Sequence, residues 1–141
     1  MRNVRSSLIK REQRKSFLLR HLSSTLHALY EEAPQFGVLF VSRVDLSDDG
    51  GICYVYLNAA QANQEKSSRE IVENLIPELI LYKPSIRKSL GDALQKRYVP
   101  DVKFLFDEKW EKVDKINQLL DKVQQDLHEH DDQPKSSGED D

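Results

Sequence analysis

The apolar positions of the chain recur at intervals of three and four residues in four segments, the spacing of one buried helix face. In the first segment, Leu18, Leu22, Leu26 and Leu29 form a single stripe, and Pro34 follows it as a helix breaker. The stripes predict four helices, over residues 6–32, from Arg69 to about Ile80, from Ser85 to about Tyr98, and from an N-cap at Asp107 to about Leu127.

Three shorter runs are rich in Val, Phe and Tyr, which is typical of strands. They cover Phe36–Leu46, Ile52–Asn58 and Val102–Phe106. Asp49-Gly50 and Gly51 separate the first two runs and supply the positive φ that a hairpin turn requires. We therefore predict an antiparallel hairpin followed later by a third strand.

Two prolines interrupt the central helical pattern. Pro77 lies inside a stripe and predicts a kink or an early stop. At Pro84 we expect the chain to turn, with Ser85 capping the next helix. The resulting order is α-β-β-α-kink-α-β-α, and the economical architecture is an α+β layer with a three-stranded sheet packed against helices.

Charge is segregated along the sequence although the net charge of all 141 residues is only −3. The net charge is +6 over residues 1–20 (the first basic block), +4 over residues 83–103 (the second basic block) and −5 over residues 127–141. We therefore divide the chain into a folded domain, 1–127, and an acidic tail, 128–141, expected to be disordered because it has almost nothing apolar to bury. Two basic blocks favour a polyanionic partner, although such residues also occur as solvated helix faces.

Signals for catalysis are weak. The sequence lacks GxxxxGK[ST] and GxGxxG, and His21 and His27 are six residues apart, which does not place two metal ligands on one helix face. Cys53 is the lone cysteine, expected to be a buried small hydrophobe in a reducing cytosol. No apolar run reaches the roughly 18 residues of a membrane span. We expect a cytoplasmic protein that is not an enzyme, has no metal or cofactor and does not bind a membrane.

A helix–break–helix unit on a small sheet is how KH modules clamp a nucleotide backbone, usually with a GxxG loop at the break. This chain has no GxxG, and its break is Leu81–Ser85, followed by Arg87 and Lys88. The pattern therefore predicts that residues 1–127 form a KH-like RNA-binding domain with an altered clamp.

Four segments in one order resemble the bacterial ribosome-binding factor A (RbfA) family. They are residues 44–49 (VDLSDD), 86–91 (IRKSLG), 99–107 (VPDVKFLFD) and 116–120 (INQLL). The resemblance covers about residues 8–122. It departs from the family pattern at Tyr82-Lys83-Pro84, where members usually carry a small-x-Gly motif, and at Ala33–Gly37, which lacks the usual charges.

The resemblance implies a type II KH-like fold and a ribosome assembly factor, monomeric when free. Such a factor binds 16S ribosomal RNA on the immature 30S subunit and assists its late maturation and 16S rRNA processing. The alternative is a protein-interaction module that docks a partner through its amphipathic helices. The candidate RNA-binding residues are Arg5, Lys10, Arg11, Arg14, Lys15, Lys83, Ser85, Arg87, Lys88, Lys96 and Arg97.

Overall fold

A computed structural model describes residues 4–60, 65–95 and 98–138 of the chain. The elements follow the predicted order, with a short 3-10 helix (Pro34–Val38) after the first helix. They are α1 (Val4–Glu32), β1 (Leu39–Leu46), β2 (Ile52–Ala59), α2 (Ser68–Ile80), α3 (Lys83–Ala93), β3 (Asp101–Phe106) and α4 (Glu108–Gly138).

The sheet has the strand order β1-β2-β3. β1 and β2 are antiparallel and joined by the predicted hairpin, in which Gly50 adopts a φ of +74°. β3 runs parallel to β2, with Asp101 opposite Ile52. Because parallel neighbours need a crossover connection, α2 and α3 carry the chain from β2 across the sheet to β3. This crossover brings the two basic blocks together in space.

The core lies between the sheet and the first three helices. Along β2, Cys53, Val55 and Leu57 are buried and alternate with half-buried residues that lie on the opposite face. The four leucines of the predicted α1 stripe are all buried, as are Val72 and Leu79 of α2 and Ile86 and Leu90 of α3. The periodicity therefore identified the buried helix faces correctly.

The first strand begins later than predicted. β1 starts at Leu39, because Pro34–Val38 forms the 3-10 helix, with the proline in its first turn. Phe36 is consequently not a strand residue. Its side chain is buried in the core, where its ring meets Tyr82 edge-on with centroids 5.5 Å apart.

The helices around the break also differ from prediction. α2 continues through Pro77 to Ile80, so the proline does not stop it. α3 begins at Lys83 with Tyr82 as N-cap, which makes the prediction of a Ser85 cap wrong. Pro84 is tolerated in the first turn because amide groups there have no partner within the helix. α3 ends at Ala93 rather than near Tyr98.

Contacts between residues divide the chain into one unit of Met1–Asp107 and another of Glu108–Asp141. Within the second unit, α4 carries the predicted apolar stripe from Val113 to Leu127 and continues as helix to Gly138. The helix therefore extends past the predicted end at Leu127, and disorder of the tail in solution stays a prediction. Among the described residues no helix is long and apolar enough to cross a membrane.

Candidate nucleic-acid interface

One end of the sheet holds the hairpin turn, the start of β3 and the residues that lead into it. In the turn, the Asp49 carboxylate accepts hydrogen bonds from the Gly51 amide and the Ser47 hydroxyl, both at 2.8 Å. These two donors lower the pKa of Asp49. The Asp101 amide then donates to the Gly51 carbonyl at 2.9 Å. Parallel pairing of β2 with β3 thus fixes Asp101 beside the turn.

The basic residues of α1 reach this end of the sheet. Arg11 donates through Nη1 to the Ser47 carbonyl at 3.2 Å and through Nη2 to the Leu46 carbonyl. Lys15 Nζ lies 3.5 Å from Asp45 Oδ1 and 3.1 Å from Glu12 Oε1. Within the first basic block, Arg11 and Lys15 therefore hold α1 against the strand end.

Arg14 links α1 to the segment before β3. Its Nη2 donates to the Tyr98 carbonyl at 3.5 Å, and its guanidinium carbon lies 5.7 Å from the centroid of the Tyr98 ring. A guanidinium over an aromatic face is favourable because the ring face carries partial negative charge. Arg14 thus joins the first basic block to the second along the surface.

The second block approaches the same end from α3. Lys83 Nζ lies 3.1 Å from Asp101 Oδ1, and this hydrogen bond is the main cause of the lowered Asp101 pKa. The positive charge of Arg87 contributes to the same shift. Two sequence blocks about seventy residues apart thus meet around Asp101 and the hairpin turn.

Three carboxylates at this end, those of Asp45, Asp49 and Asp101, are partnered. The pKa of Asp45 is lowered, first by the hydrogen bond it accepts from the Leu46 amide and then by the charges of Lys15 and Arg11. Sequence reasoning selected cations and Ser85 as binding residues. It missed Asp45 and Asp101, whose ion pairs occupy Lys15 and Lys83. It also missed Tyr98, whose only sequence signal is its place directly after Lys96 and Arg97.

The predicted binding residues fall into two groups that the sequence does not distinguish. Arg11, Arg14, Lys15 and Lys83 are engaged in the contacts above. The exposed members, for whose side chains the described part of the chain shows no hydrogen bond or close ion pair, are Lys10, Ser85, Arg87 and Lys88. The Arg5 side chain and the whole of Lys96 and Arg97 lie outside the described residues.

Ser85, Arg87 and Lys88 occupy the first turns of α3, although Ser85 is not its cap. The first turn contains no acidic residue. Because the N-terminal end of a helix carries partial positive charge, cations there repel it by a few tenths of a kcal/mol each, by helix-dipole estimates. A bound phosphate offsets this repulsion, since the free amides of the helix end and the cations both attract it. The arrangement suits an anion better than it suits the free protein.

Two groups that could serve catalysis or metal binding, Cys53 and His21, lie elsewhere and are occupied. Cys53 is fully buried in β2, which raises its pKa to about 12 and keeps it a thiol. His21 Nε2 lies 3.1 Å from Ser89 Oγ, an α1–α3 contact. The described residues include no group of three or more His, Cys, Asp or Glu side chains that could hold a metal ion. The candidate site that the described geometry supports is the group of exposed cations at the start of α3.

Comparison with known proteins agrees with this interpretation. The family model for ribosome-binding factor A matches residues 10–120. Ribosome-binding factor A of Geotalea daltonii is 26% identical over 130 residues, 92% of this chain and 99% of that protein. The protein of the same name from Prochlorococcus marinus strain AS9601 is 37% identical over 90 residues, 64% of this chain; the match spans 65% of that relative, just under two thirds.

Solved structures give the same result. The crystal structure of ribosome-binding factor A from Thermus thermophilus superposes with a TM-score of 0.52 at 25% identity, covering 68% of this chain and 94% of that one. The homology model of Thermus RbfA fitted into a cryo-EM map of a 30S–RbfA complex gives 0.50 at 25% identity, covering 65% and 89%. These matches confirm the predicted type II KH-like fold. Because the family model for ribosome-binding factor A matches residues 10–120, the chain belongs to the ribosome-binding factor A family.

Proposed function

We propose that this protein is a non-catalytic assembly factor that binds 16S rRNA on the immature 30S subunit and assists its late maturation. The observation that carries the proposal is the convergence of both basic blocks on one end of the sheet, around Asp101 and the hairpin turn. Family membership supports it, as does the fitting of the Thermus protein into a 30S complex.

Phosphate contacts by the exposed cations supply the binding energy in this account. Arg87 and Lys88 lie on the exposed side of α3 beside its N-terminal amides, and Lys10 is exposed on α1. Backbone phosphates bound here neutralise the cations and release counterions from the RNA. Arg11 and Lys15 act indirectly, because they hold α1 in place against the turn.

The break between α2 and α3 performs the clamp role without glycine. Tyr82, with φ −91° and ψ 0°, makes the turn, and Pro84 in the first turn of α3 fixes its own φ. Because Pro84 has no N–H, the amides of Lys83 and Ser85 remain as the free donors of this turn. We infer that the clamp relies on side-chain cations more than a glycine loop would.

Co-sedimentation with purified 30S subunits across a salt series tests the proposal. Phosphate binding predicts that the logarithm of the affinity falls linearly with that of the salt concentration, by about 0.7–0.9 per phosphate contact. Isolated 50S subunits are the control for general attraction to ribosomal RNA. Absent binding, or binding that does not change with salt, would contradict the proposal and favour a protein-interaction module.

The maturation role has a separate readout. Cells that lack the protein should accumulate 30S particles with unprocessed precursor 16S rRNA, and the parent chain should reverse this. If binding is intact and precursor levels do not change, the protein binds the subunit without assisting its maturation.

A further inference from the structure

A surface groove of about 450 Å³ lies between α1 and the end of α3, beside the basic end of the sheet. Of the described residues that line it, none is acidic. Its principal lining residues are Gln13, Arg14, Phe17, Leu94, Gln95 and Tyr98.

The groove combines aromatic surface with a guanidinium. The Tyr98 ring is half-exposed, and the Arg14 guanidinium carbon lies 5.7 Å from its centroid. Phe17 is partly buried and forms an apolar wall that continues into the core. Aromatic rings and arginine planes are the surfaces on which unpaired nucleobases stack.

Two carboxamides complete the lining. Gln13 and Gln95 each offer both a donor and an acceptor, which match the hydrogen-bonding edge of any base. Gln95 is also the only non-glycine residue with positive φ, +58°, in the part of the chain that the structure describes. This position just after a helix usually carries glycine or asparagine, and backbone strain of this kind concentrates at functional sites.

The surroundings favour a polyanion over an apolar or acidic peptide. Arg14 lies in the groove itself, and the exposed Lys10 precedes it by one helical turn on α1. A nucleotide whose base entered the groove would therefore have cations within reach of its phosphate.

We propose that this groove is a subsite for one unpaired nucleobase of single-stranded RNA. The subsite rests on the proposed function, because the cations around Asp101 supply the backbone contacts while the groove selects RNA whose bases are free. Duplex RNA keeps its bases stacked and paired, so it gains only the phosphate contacts.

Fluorescence anisotropy with two RNA strands of equal length tests the subsite. One strand has a mixed sequence, and the other carries the same phosphates but is abasic throughout. The parent protein should bind the mixed strand about tenfold more tightly, which lies within the range that stacking one base on an aromatic side chain supplies. Equal affinity for the two strands would overturn the subsite.

Variants separate the groove from the basic surface. Tyr98→Ala should remove the preference for bases, so that this variant binds the mixed and the abasic strand equally, whereas Tyr98→Phe should keep the preference. Gln13→Ala, on the exposed side of α1, is the second variant if Tyr98→Ala fails to fold. An undiminished preference in Tyr98→Ala, or in Gln13→Ala where Tyr98→Ala does not fold, would overturn the subsite.

The same experiment distinguishes failure of the subsite from failure of the proposed function. Equal, salt-dependent binding to both strands removes the subsite alone. If neither strand binds and 30S subunits do not bind either, the proposed function fails, and the subsite fails with it.

Discussion

Lys10 and Arg11 are neighbours in the sequence and perform different tasks in the structure. The Arg11 guanidinium donates to the carbonyl groups of Ser47 and Leu46, while Lys10 is exposed. Arg11→Ala should lower the free energy of unfolding by about 1.5–3 kcal/mol, the usual contribution of a hydrogen bond that involves a charged group. Lys10→Ala should leave stability unchanged and weaken 30S binding. Urea unfolding and co-sedimentation of both variants measure these effects. A loss of stability in Lys10→Ala, with none in Arg11→Ala, would contradict these roles.

Cys53 provides a test of the central strand. Its side chain is fully buried in β2, and burial raises its pKa to about 12. Because only the thiolate reacts, we expect a thiol reagent at pH 8 to modify the folded protein extremely slowly and the urea-unfolded chain at once. Fast modification of the folded chain would show that β2 is not covered as described.

The Lys83–Asp101 pair gives stability a defined pH dependence. Asp101 has a lowered pKa in the folded chain, so the unfolded chain binds the proton more readily. The contribution of the ion pair to the free energy of unfolding is therefore present above the unfolded pKa of about 3.9. It is lost as pH falls through the lower pKa of Asp101 in the folded chain. Since the Asp101 side chain is 54% exposed, the ion pair stabilises the fold by at most about 1 kcal/mol.

Melting curves of the parent, Asp101→Asn and Lys83→Met between pH 3 and pH 7 check this assignment. Both variants should melt below the parent at pH 7 and approach it near pH 3. A difference from the parent that does not change with pH would show that the stability effect does not come from this ion pair. Asp101→Asn should also bind RNA more tightly, because it releases Lys83 from the ion pair.

At the scale of elements, we predict that the acidic tail is separable from the body. Residues 128–141 have almost nothing apolar to bury, although the helical backbone of α4 reaches Gly138. Truncation after Leu127 should leave the melting temperature nearly unchanged and tighten RNA binding at low salt, since it removes negative charge. Calorimetry and RNA titration at two salt concentrations measure both effects. A large loss of stability would contradict a separable tail.

Local chemistry explains which element boundaries could be predicted. The Asp-Gly and Gly-Gly pairs specify the hairpin because Gly50 supplies the required positive φ. The start of α3 could not be predicted, since a proline in the first turn is compatible with both a helix start and a break. The end of α3 was predicted too late. Gln95 adopts a positive φ just after the helix, and glutamine, unlike glycine or asparagine, gives no sequence signal for that conformation.

At the scale of the whole molecule, the sequence predicted the fold class and the two basic blocks, but not how the blocks combine. Their meeting depends on the parallel pairing that sets Asp101 opposite Ile52 and beside Gly51, a contact between residues far apart in sequence. The same packing pairs Lys83 with Asp101 and gives Lys88 no such partner among the described residues. Composition counts both lysines equally, so it could not separate structural cations from available ones.

The central claim is that RNA is bound at the start of α3, and one measurement tests it most directly. The double variant Arg87→Glu, Lys88→Glu is compared with the parent in 30S co-sedimentation, with Lys112→Glu, Lys122→Glu on exposed positions of α4 as a control of equal charge change. We expect the α3 variant to bind at least tenfold more weakly, about 1.4 kcal/mol, with a shallower salt dependence and no loss of thermal stability. Parent-like binding by the α3 variant, or an equal loss in the α4 control, would contradict an RNA-binding surface at this helix.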